Sequence, residues 1–145
     1  MKTLYTAVVT TTGGREGYVT SDDGILDMKL SMPKELGGKG GDNTNPEQLF
    51  AAAYSASYSS ALKVVAGKHD IDLGDYSVTA TVEIGKPEEG GMVLSVILDA
   101  YLPEASVETG EMLVNEAYEI CPYSRATEDN IDVTLNLMLA EDEEE

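Results

Sequence analysis

The first third of the chain consists of short segments in which apolar and β-branched residues alternate with polar ones. Residues 4–10 are rich in β-branched residues and are followed by a glycine pair, and residues 17–20 have the same character. Between residues 25 and 30 the alternation has the period of two that half-buried strands show. We therefore predict three short strands, with residues 21–24 as the hairpin turn between the second and the third.

A helix with clear start signals follows a long loop. Residues 32–44 contain a proline and four glycines, which predicts a loop of a length that is often functional in compact domains. Asn45 is then a good N-cap, Pro46 suits the first helical position, and Gln48 completes a capping box. Apolar residues recur at intervals of three and four up to about Gly67, so we predict an amphipathic helix over this stretch.

The remainder of the chain predicts two strands, a helix and a final strand. Residues 76–84 and 92–102 alternate strongly around a polar tip, which indicates a hairpin. Residues 103–120 form a predicted second helix that stops at Cys121 and Pro122, because proline cannot continue the hydrogen-bond ladder. In residues 131–139 apolar and polar residues alternate again, which predicts a final strand. This order predicts an α+β protein with one domain over residues 1–140 and a disordered acidic tail at 141–145.

Charge narrows the choice of partners. The 145 residues include 27 acidic and 9 basic ones, a formal net charge of −18, so nucleic acid and anionic membranes would be repelled. No apolar run approaches the roughly 18 residues that span a bilayer, and the N-terminus does not resemble a leader, so we expect a cytoplasmic protein. One cysteine and one histidine exclude a disulfide framework within the chain, a multi-cysteine zinc site and a histidine-rich metal centre.

The single cysteine, Cys121, has two interpretations. A lone cysteine is most often a small, buried apolar residue. A reactive thiol needs a lowered pKa and some exposure, and the C-terminal end of a helix has the wrong dipole sign for stabilising a thiolate. Alone, Cys121 is therefore a poor primary nucleophile that can still serve as a second, resolving thiol. An enzyme that uses Cys121 alone is the weakest hypothesis.

Three further residues are candidates for chemistry. Ser57 lies on the apolar face of the first helix, where a hydroxyl commonly bonds back to the carbonyl one turn earlier, and no His–Asp pair is available to activate it. Glu47 is either a surface acid favoured by the helix dipole or the partner of Arg15, orienting its guanidinium towards a pocket. Glu47 and Ser57 lie about 15 Å apart along an ideal helix, so Glu47 cannot act on Ser57 directly.

Several long motifs agree with one known family, in order and with matching spacing over nearly the whole chain. These motifs are Gly13-Gly14-Arg15, Leu36-Gly37-Gly38, residues 44–52 (TNPEQLFAA), residues 121–127 (CPYSRAT) and residues 130–133 (NIDV). With them the chain resembles the organic hydroperoxide resistance proteins, a branch of the osmotically inducible protein C (OsmC) superfamily. The Cys-Pro-Tyr-Ser-x-Ala-Thr segment favours this branch over the neighbouring ones.

The resemblance implies a fold and a chemistry. The fold would be OsmC-like, with a strand-rich N-terminal part and two central helices packed on antiparallel sheet, in an intertwined homodimer with two active sites at the subunit interface. Family members are cysteine-based peroxidases in which a helix thiolate attacks a small organic hydroperoxide and becomes a sulfenic acid. A second thiol condenses with it, and a dithiol such as the dihydrolipoyl group of lipoylated proteins reduces the disulfide. No bound cofactor is implied.

One position departs from the family pattern. Carried over residue by residue, Arg15 and Glu47 match the arginine that lowers the pKa of the attacking thiol and the glutamate that holds it, and Cys121 matches the resolving cysteine. The position of the attacking cysteine is occupied by Ser57. A serine hydroxyl has no oxidation ladder of the thiolate-to-sulfenic kind, so we predict that the chain as written does not turn over hydroperoxides. An engineered Cys→Ser change and natural loss of the peroxidase step both stay open as its origin.

Two functions also stay open. The first is an organic hydroperoxide reductase in a disabled form, with an apolar pocket, lined by Phe50, Tyr54 and neighbours from both subunits, that would prefer alkyl or fatty-acid hydroperoxides. The second is a non-catalytic OsmC-like protein that binds a small hydrophobic ligand without chemistry.

Overall fold

A computed structural model describes residues 1–140, and the acidic tail predicted at 141–145 lies outside the described residues. The chain divides into two compact units, Met1–Leu49 and Phe50–Glu145. The single domain expected over residues 1–140 therefore stays a prediction. The α+β class is confirmed, since both units contain a three-stranded sheet and the chain contains helices of up to 23 residues.

The first unit contains an antiparallel sheet of three short strands in the order β1 (Val9–Thr12), β2 (Tyr18–Ser21) and β3 (Asp27–Lys29). The three strands and the hairpin between β2 and β3 confirm the prediction. The predicted start at residue 4 is wrong, because Val9 is the first residue that pairs, opposite Ser21. Asp22 N–H donates one further bond of 3.0 Å to the carbonyl of Val8, but no strand within residues 1–140 pairs with residues 1–7, and a strand needs a neighbouring ladder.

Helix α1 (Pro46–Lys68) follows a loop that contains the short 3₁₀ turn Lys34–Leu36. The Asn45 side chain accepts a hydrogen bond of 2.8 Å from the backbone N–H of Gln48, so the N-cap is placed as predicted. The helix ends one residue beyond the predicted Gly67. Its first four residues belong to the first unit and the others to the second.

The sheet of the second unit has the order β4 (Ser77–Gly85), β5 (Val93–Tyr101) and β6 (Asp132–Met138). Strands β4 and β5 form the predicted antiparallel hairpin. Strand β6 pairs with β5 in parallel, so the expectation of a wholly antiparallel sheet is wrong at this pair. The reason is the helical crossover between the two strands, which returns the chain to the end of the sheet where β5 began.

Two helices form that crossover, where one was predicted. Helix α2 (Val107–Ile120) starts four residues later than expected, because Ser106 is the N-cap and its hydroxyl accepts a hydrogen bond of 3.2 Å from Thr109 N–H. The helix ends before Cys121, as predicted. A short helix α3 (Pro122–Thr127) then begins, because proline ends a helix but suits the first position of the next one.

The core of the second unit lies between the inner face of its sheet and the helices, which confirms that two central helices pack on a sheet. Its most buried apolar residues include Tyr54, Tyr58, Leu62 and Val65 of α1, Val96, Leu98 and Ala100 of β5, Leu102 just after β5, and Leu113, Ala117 and Cys121 at α2 and its C-cap. Among the described residues, no helix is both long and apolar enough to cross a membrane.

Candidate active site

Glycines fix the position of Arg15 in the first unit. Arg15 lies in the 3₁₀ turn Gly14–Glu16 between β1 and β2. Gly13, just before the turn, has a φ of 81°, in the left-handed region that glycine adopts without a steric cost. A Cβ on Gly17 would lie 1.6 Å from the carbonyl oxygen of Thr12, so the turn closes only around a glycine. The glycines at positions 13 and 17 therefore fix the backbone of the turn that carries Arg15.

Arg15 and Glu47 form a two-pronged ion pair within the first unit. Arg15 Nη1 donates to Glu47 Oε1 at 2.7 Å, and Nη2 donates to Oε2 at 3.1 Å. The Arg15 side chain is 33% exposed and that of Glu47 is 16% exposed. The hydrogen bond that Arg15 donates to Glu47 raises the pKa of Arg15 above its ordinary value. Of the two interpretations of Glu47, the structure therefore shows the arginine–carboxylate pair.

The first unit contains a cavity of about 460 Å³, and Arg15 is the only charged residue among the described residues that line it. The lining consists of Val9, Thr11, Gly14, Arg15, Val19, Leu26, Leu30, Pro46 and Leu49. We call it the arginine-lined cavity. Its size lies within the range of small-molecule sites, and its mainly apolar walls with the Arg15 guanidinium and the Thr11 hydroxyl suit an organic ligand that has a polar end.

In the second unit, Ser57 and Cys121 are in contact. Ser57 Oγ lies 3.5 Å from Cys121 Sγ, within hydrogen-bond distance for sulfur. Ser57 is half-buried, and Cys121 has 0% of its surface exposed. A sulfur at position 57 would therefore stand beside the Cys121 thiol, and a modest side-chain shift would bring the two to the roughly 2.05 Å of a disulfide.

The backbone at Cys121 differs from the sequence-based expectation. Cys121 is the C-cap of α2, and its N–H donates to the carbonyl of Ala117 at 2.9 Å. It is also the N-cap of α3, with its carbonyl accepting from Arg125 N–H at 3.0 Å. The objection that the thiol stands at a helix C-terminus is therefore incomplete, because the start of a second helix lies at the same residue.

Buried hydroxyl groups lie next to this contact. Tyr54 Oη is 2.8 Å from Ser124 Oγ and 3.3 Å from Thr127 Oγ1. Tyr54 and Ser124 are both 0% exposed. Sequence reasoning placed Tyr54 in a pocket with Phe50 and did not single out Ser124 or Thr127. The available signal was the interval of three that joins Cys121, Ser124 and Thr127 on one helical face.

Phe50 and Tyr54 use their rings for packing within the second unit. Their ring centroids are 6.0 Å apart and the rings meet edge to face, an arrangement that stabilises aromatic pairs. Phe50 packs against the buried core that includes Tyr54. The role of these two residues in a substrate pocket shared between subunits stays a prediction.

Tyr58 completes the buried polar groups near Cys121. It lies one residue after Ser57, and its hydroxyl donates to the carbonyl of Val114 on α2 at 2.7 Å. Burial raises the pKa of Tyr58 above its ordinary value. No cluster of three or more histidine, cysteine or acidic side chains within residues 1–140 is placed to hold a metal ion.

Comparison with known proteins matches residues 38–136 to the family model described as OsmC-like protein. The organic hydroperoxide resistance protein of Xanthomonas axonopodis pv. citri is 50% identical over 137 residues, which cover 94% of this chain and 96% of that protein. A crystal structure of an organic hydroperoxide resistance protein from Legionella pneumophila has a TM-score of 0.90 and 45% identity, covering 94% of this chain and 99% of that one. A second, from Elizabethkingia anophelis with crystallant-derived thiocyanate bound, has a TM-score of 0.90 and 47% identity, with coverages of 96% and 99%.

Proposed function

Since this chain belongs to the OsmC family, in its organic hydroperoxide resistance branch, we propose that it holds the hydroperoxide site of an oxidative-stress defence protein with the attacking sulfur replaced by a hydroxyl. The observation that carries the proposal is the contact of 3.5 Å between Ser57 Oγ and Cys121 Sγ. The partner thiol is thus retained directly beside the position from which the attack would start. As written, the chain binds organic hydroperoxide and does not reduce it.

The chemistry of the family shows why a serine at position 57 stops the reaction. In a family member, the thiolate sulfur forms a bond with the outer peroxide oxygen, the O–O bond breaks, and the organic alkoxide takes up a proton and leaves as the alcohol. The resulting sulfenic acid condenses with the second thiol, which gives a disulfide and water. A dithiol of the dihydrolipoyl type then restores both thiols. A hydroxyl at position 57 stops this sequence at its first step.

The remaining parts of the site keep their proposed roles. Arg15 would stabilise a thiolate, and its support is the two-pronged pair with Glu47, which fixes the guanidinium. Cys121 would be the resolving thiol. Its complete burial argues against the hypothesis that Cys121 alone performs the peroxidase step, because a reactive thiol needs access to its substrate. A homodimer and a lipoylated protein as reductant belong to the same proposal.

The test is the Ser57→Cys variant assayed with cumene hydroperoxide and dihydrolipoamide. We expect the variant to consume hydroperoxide with repeated turnover and the parent chain to stay at the uncatalysed rate. Ser57→Ala is the matched control, because it also removes the hydroxyl but supplies no sulfur. Adding Cys121→Ser to the active variant should end turnover with the dithiol. A Ser57→Cys variant that is folded and no faster than Ser57→Ala contradicts the proposal.

The second candidate function is binding of a small hydrophobic ligand without chemistry. The arginine-lined cavity favours it. Its volume of about 460 Å³ and its mainly apolar walls suit a small ligand, and none of the described residues that line it is a cysteine. Thermal stabilisation of the parent chain by an aliphatic alcohol or ester, together with no gain of turnover in Ser57→Cys, would support this function. A gain of turnover would support the first.

A further inference from the structure

Two contacts side by side join α1 to the start of α3. On α1, Tyr54 precedes Ser57 by three residues, and Ser124 follows Cys121 by three. Residues three apart on a helix lie on one face. Tyr54 Oη meets Ser124 Oγ at 2.8 Å, and Ser57 Oγ meets Cys121 Sγ at 3.5 Å. The same two segments therefore meet at both points.

The tyrosine contact is the more tightly specified of the two. Tyr54 and Ser124 are both 0% exposed, so neither hydroxyl can exchange its partner for bulk water. Leaving one of them unpaired would cost the desolvation of a buried polar group, whereas the sulfur contact is weak. The Tyr54 ring is itself held between Phe50 and Tyr123, each with its ring centroid 6.0 Å away.

A second hydroxyl strengthens the attachment of α3. Thr127 Oγ1 lies 3.3 Å from Tyr54 Oη and donates within α3 to the carbonyls of Tyr123 and Ser124, each at 3.1 Å. The tyrosine hydroxyl thus engages two successive turns of the short helix. A rotation or slide of α3 that moved Cys121 away from position 57 would have to break these bonds.

We infer that Tyr54 is a positioning residue, whose hydroxyl holds the start of α3 so that the Cys121 thiol faces position 57. This inference rests on the proposed function, in which these two positions close a disulfide. Orienting two reacting groups in advance raises their effective concentration, and the Tyr54–Ser124 bond supplies that orientation without touching either reacting atom.

The test measures disulfide closure without any hydroperoxide. In the Ser57→Cys variant, oxidised glutathione accepts two electrons and two protons from the thiols at positions 57 and 121 and becomes two molecules of reduced glutathione. The equilibrium with a glutathione buffer gives the effective concentration of the pair. Adding Tyr54→Phe should lower that effective concentration about tenfold, because a buried hydrogen bond that orders the pair is lost.

Tyr58→Phe in the same background is the matched control. It also removes a buried tyrosine hydroxyl, but that hydroxyl donates its hydrogen bond to the carbonyl of Val114 on α2 and not to a residue of α3. We expect it to lower the unfolding temperature and to change the closure equilibrium less than twofold. Equal effects of the two variants on closure, or no effect of Tyr54→Phe, would overturn the inference.

Ser124→Ala removes the same bond from the other side and keeps the test decisive if Tyr54→Phe does not fold. It should weaken closure in the same direction, and unchanged closure counts against the inference. The outcome is separable from the proposed function, because glutathione replaces the hydroperoxide. A closure that depends on Tyr54 in a variant without peroxidase turnover leaves the inference standing and rejects the function.

Discussion

Replacing Glu47 by glutamine tests the ion pair between Arg15 and Glu47 in the first unit. The change removes the negative charge and keeps the size of the side chain. Two effects are lost together, namely the ion pair with Arg15 and the favourable placement of a carboxylate in the first turn of α1. They must be separated before either can be assigned a free energy.

The magnitude follows from the geometry of the pair. Two charge-assisted bonds of 2.7 and 3.1 Å would be strong in a dry site, but the Arg15 side chain is 33% exposed and water screens it. Exposed ion pairs contribute about 0.2–1 kcal/mol to stability, so the coupling free energy between Arg15 and Glu47 in this half-buried ion pair should be about 1 kcal/mol. The helix-dipole effect adds about 0.5 kcal/mol, so Glu47→Gln should cost about 1.5 kcal/mol in total.

Urea unfolding of four proteins separates the two effects: the parent, Glu47→Gln, Arg15→Gln and the double variant. The double-mutant cycle isolates the coupling, which we expect near 1 kcal/mol at low salt. It should shrink in about 1 M salt, where the screening length falls to about 3 Å. A coupling free energy below about 0.3 kcal/mol at low salt would refute the claim that the ion pair with Glu47 holds Arg15 in place.

The remaining predictions concern the second unit. Gly110→Ala should destabilise the protein by about 1–3 kcal/mol in urea unfolding, because its Cβ would lie 2.8 Å from Leu137 Cδ2. Gly67→Ala, with no atom within 4 Å of the new Cβ, is its control and should stabilise by about 0.5 kcal/mol; a similar loss in both would contradict this packing. The raised pKa of Tyr58 means that the folded state holds this proton more tightly, so its share of stability is full below the unfolded pKa near 10 and is lost as pH rises above it. Tyr58→Phe should flatten the fall of unfolding free energy above pH 10, and an unchanged slope would contradict the burial of that hydroxyl.

Local signals account for the elements that the sequence predicts well. The predicted ends of helix α1 agree with the structure to within one residue, because the start signals are local: Asn45 accepts a bond from Gln48 N–H, and the fixed φ of Pro46 suits the first helical position. The β4–β5 hairpin was found for the same reason, since alternation and a polar turn are properties of one short stretch.

The errors concern features that depend on distant partners. Residues before Val9 have strand-like composition, but the ladder that defines a strand requires a neighbour. The parallel pairing of β6 depends on the path of the crossover, which no residue of β6 encodes. Helix α3 has six residues, too few for a periodic pattern to be recognised.

In the candidate site, too, the contacts that the sequence did not predict join residues that are distant along the chain. Arg15 and Glu47 are 32 positions apart, so the residues alone left their pairing as one of two interpretations, and the resemblance of whole motifs favoured it before the structure showed it. The Tyr54–Ser124 contact joins residues 70 positions apart. Each residue alone has an ordinary structural explanation, and only the fold shows that the tyrosine hydroxyl lies beside the cysteine contact.

The central claim of the proposed function is that the chain lacks the attacking sulfur at position 57 and keeps the resolving thiol of Cys121 beside it. The most direct measurement is a count of free thiols, by mass spectrometry after alkylation under denaturing conditions, after the same fixed incubation of each protein with one equivalent of organic hydroperoxide. We predict that Ser57→Cys loses both thiols to a disulfide between positions 57 and 121, and that the parent keeps its Cys121 thiol unchanged. Retention of both thiols in the variant, or prompt oxidation of Cys121 in the parent, would contradict the claim.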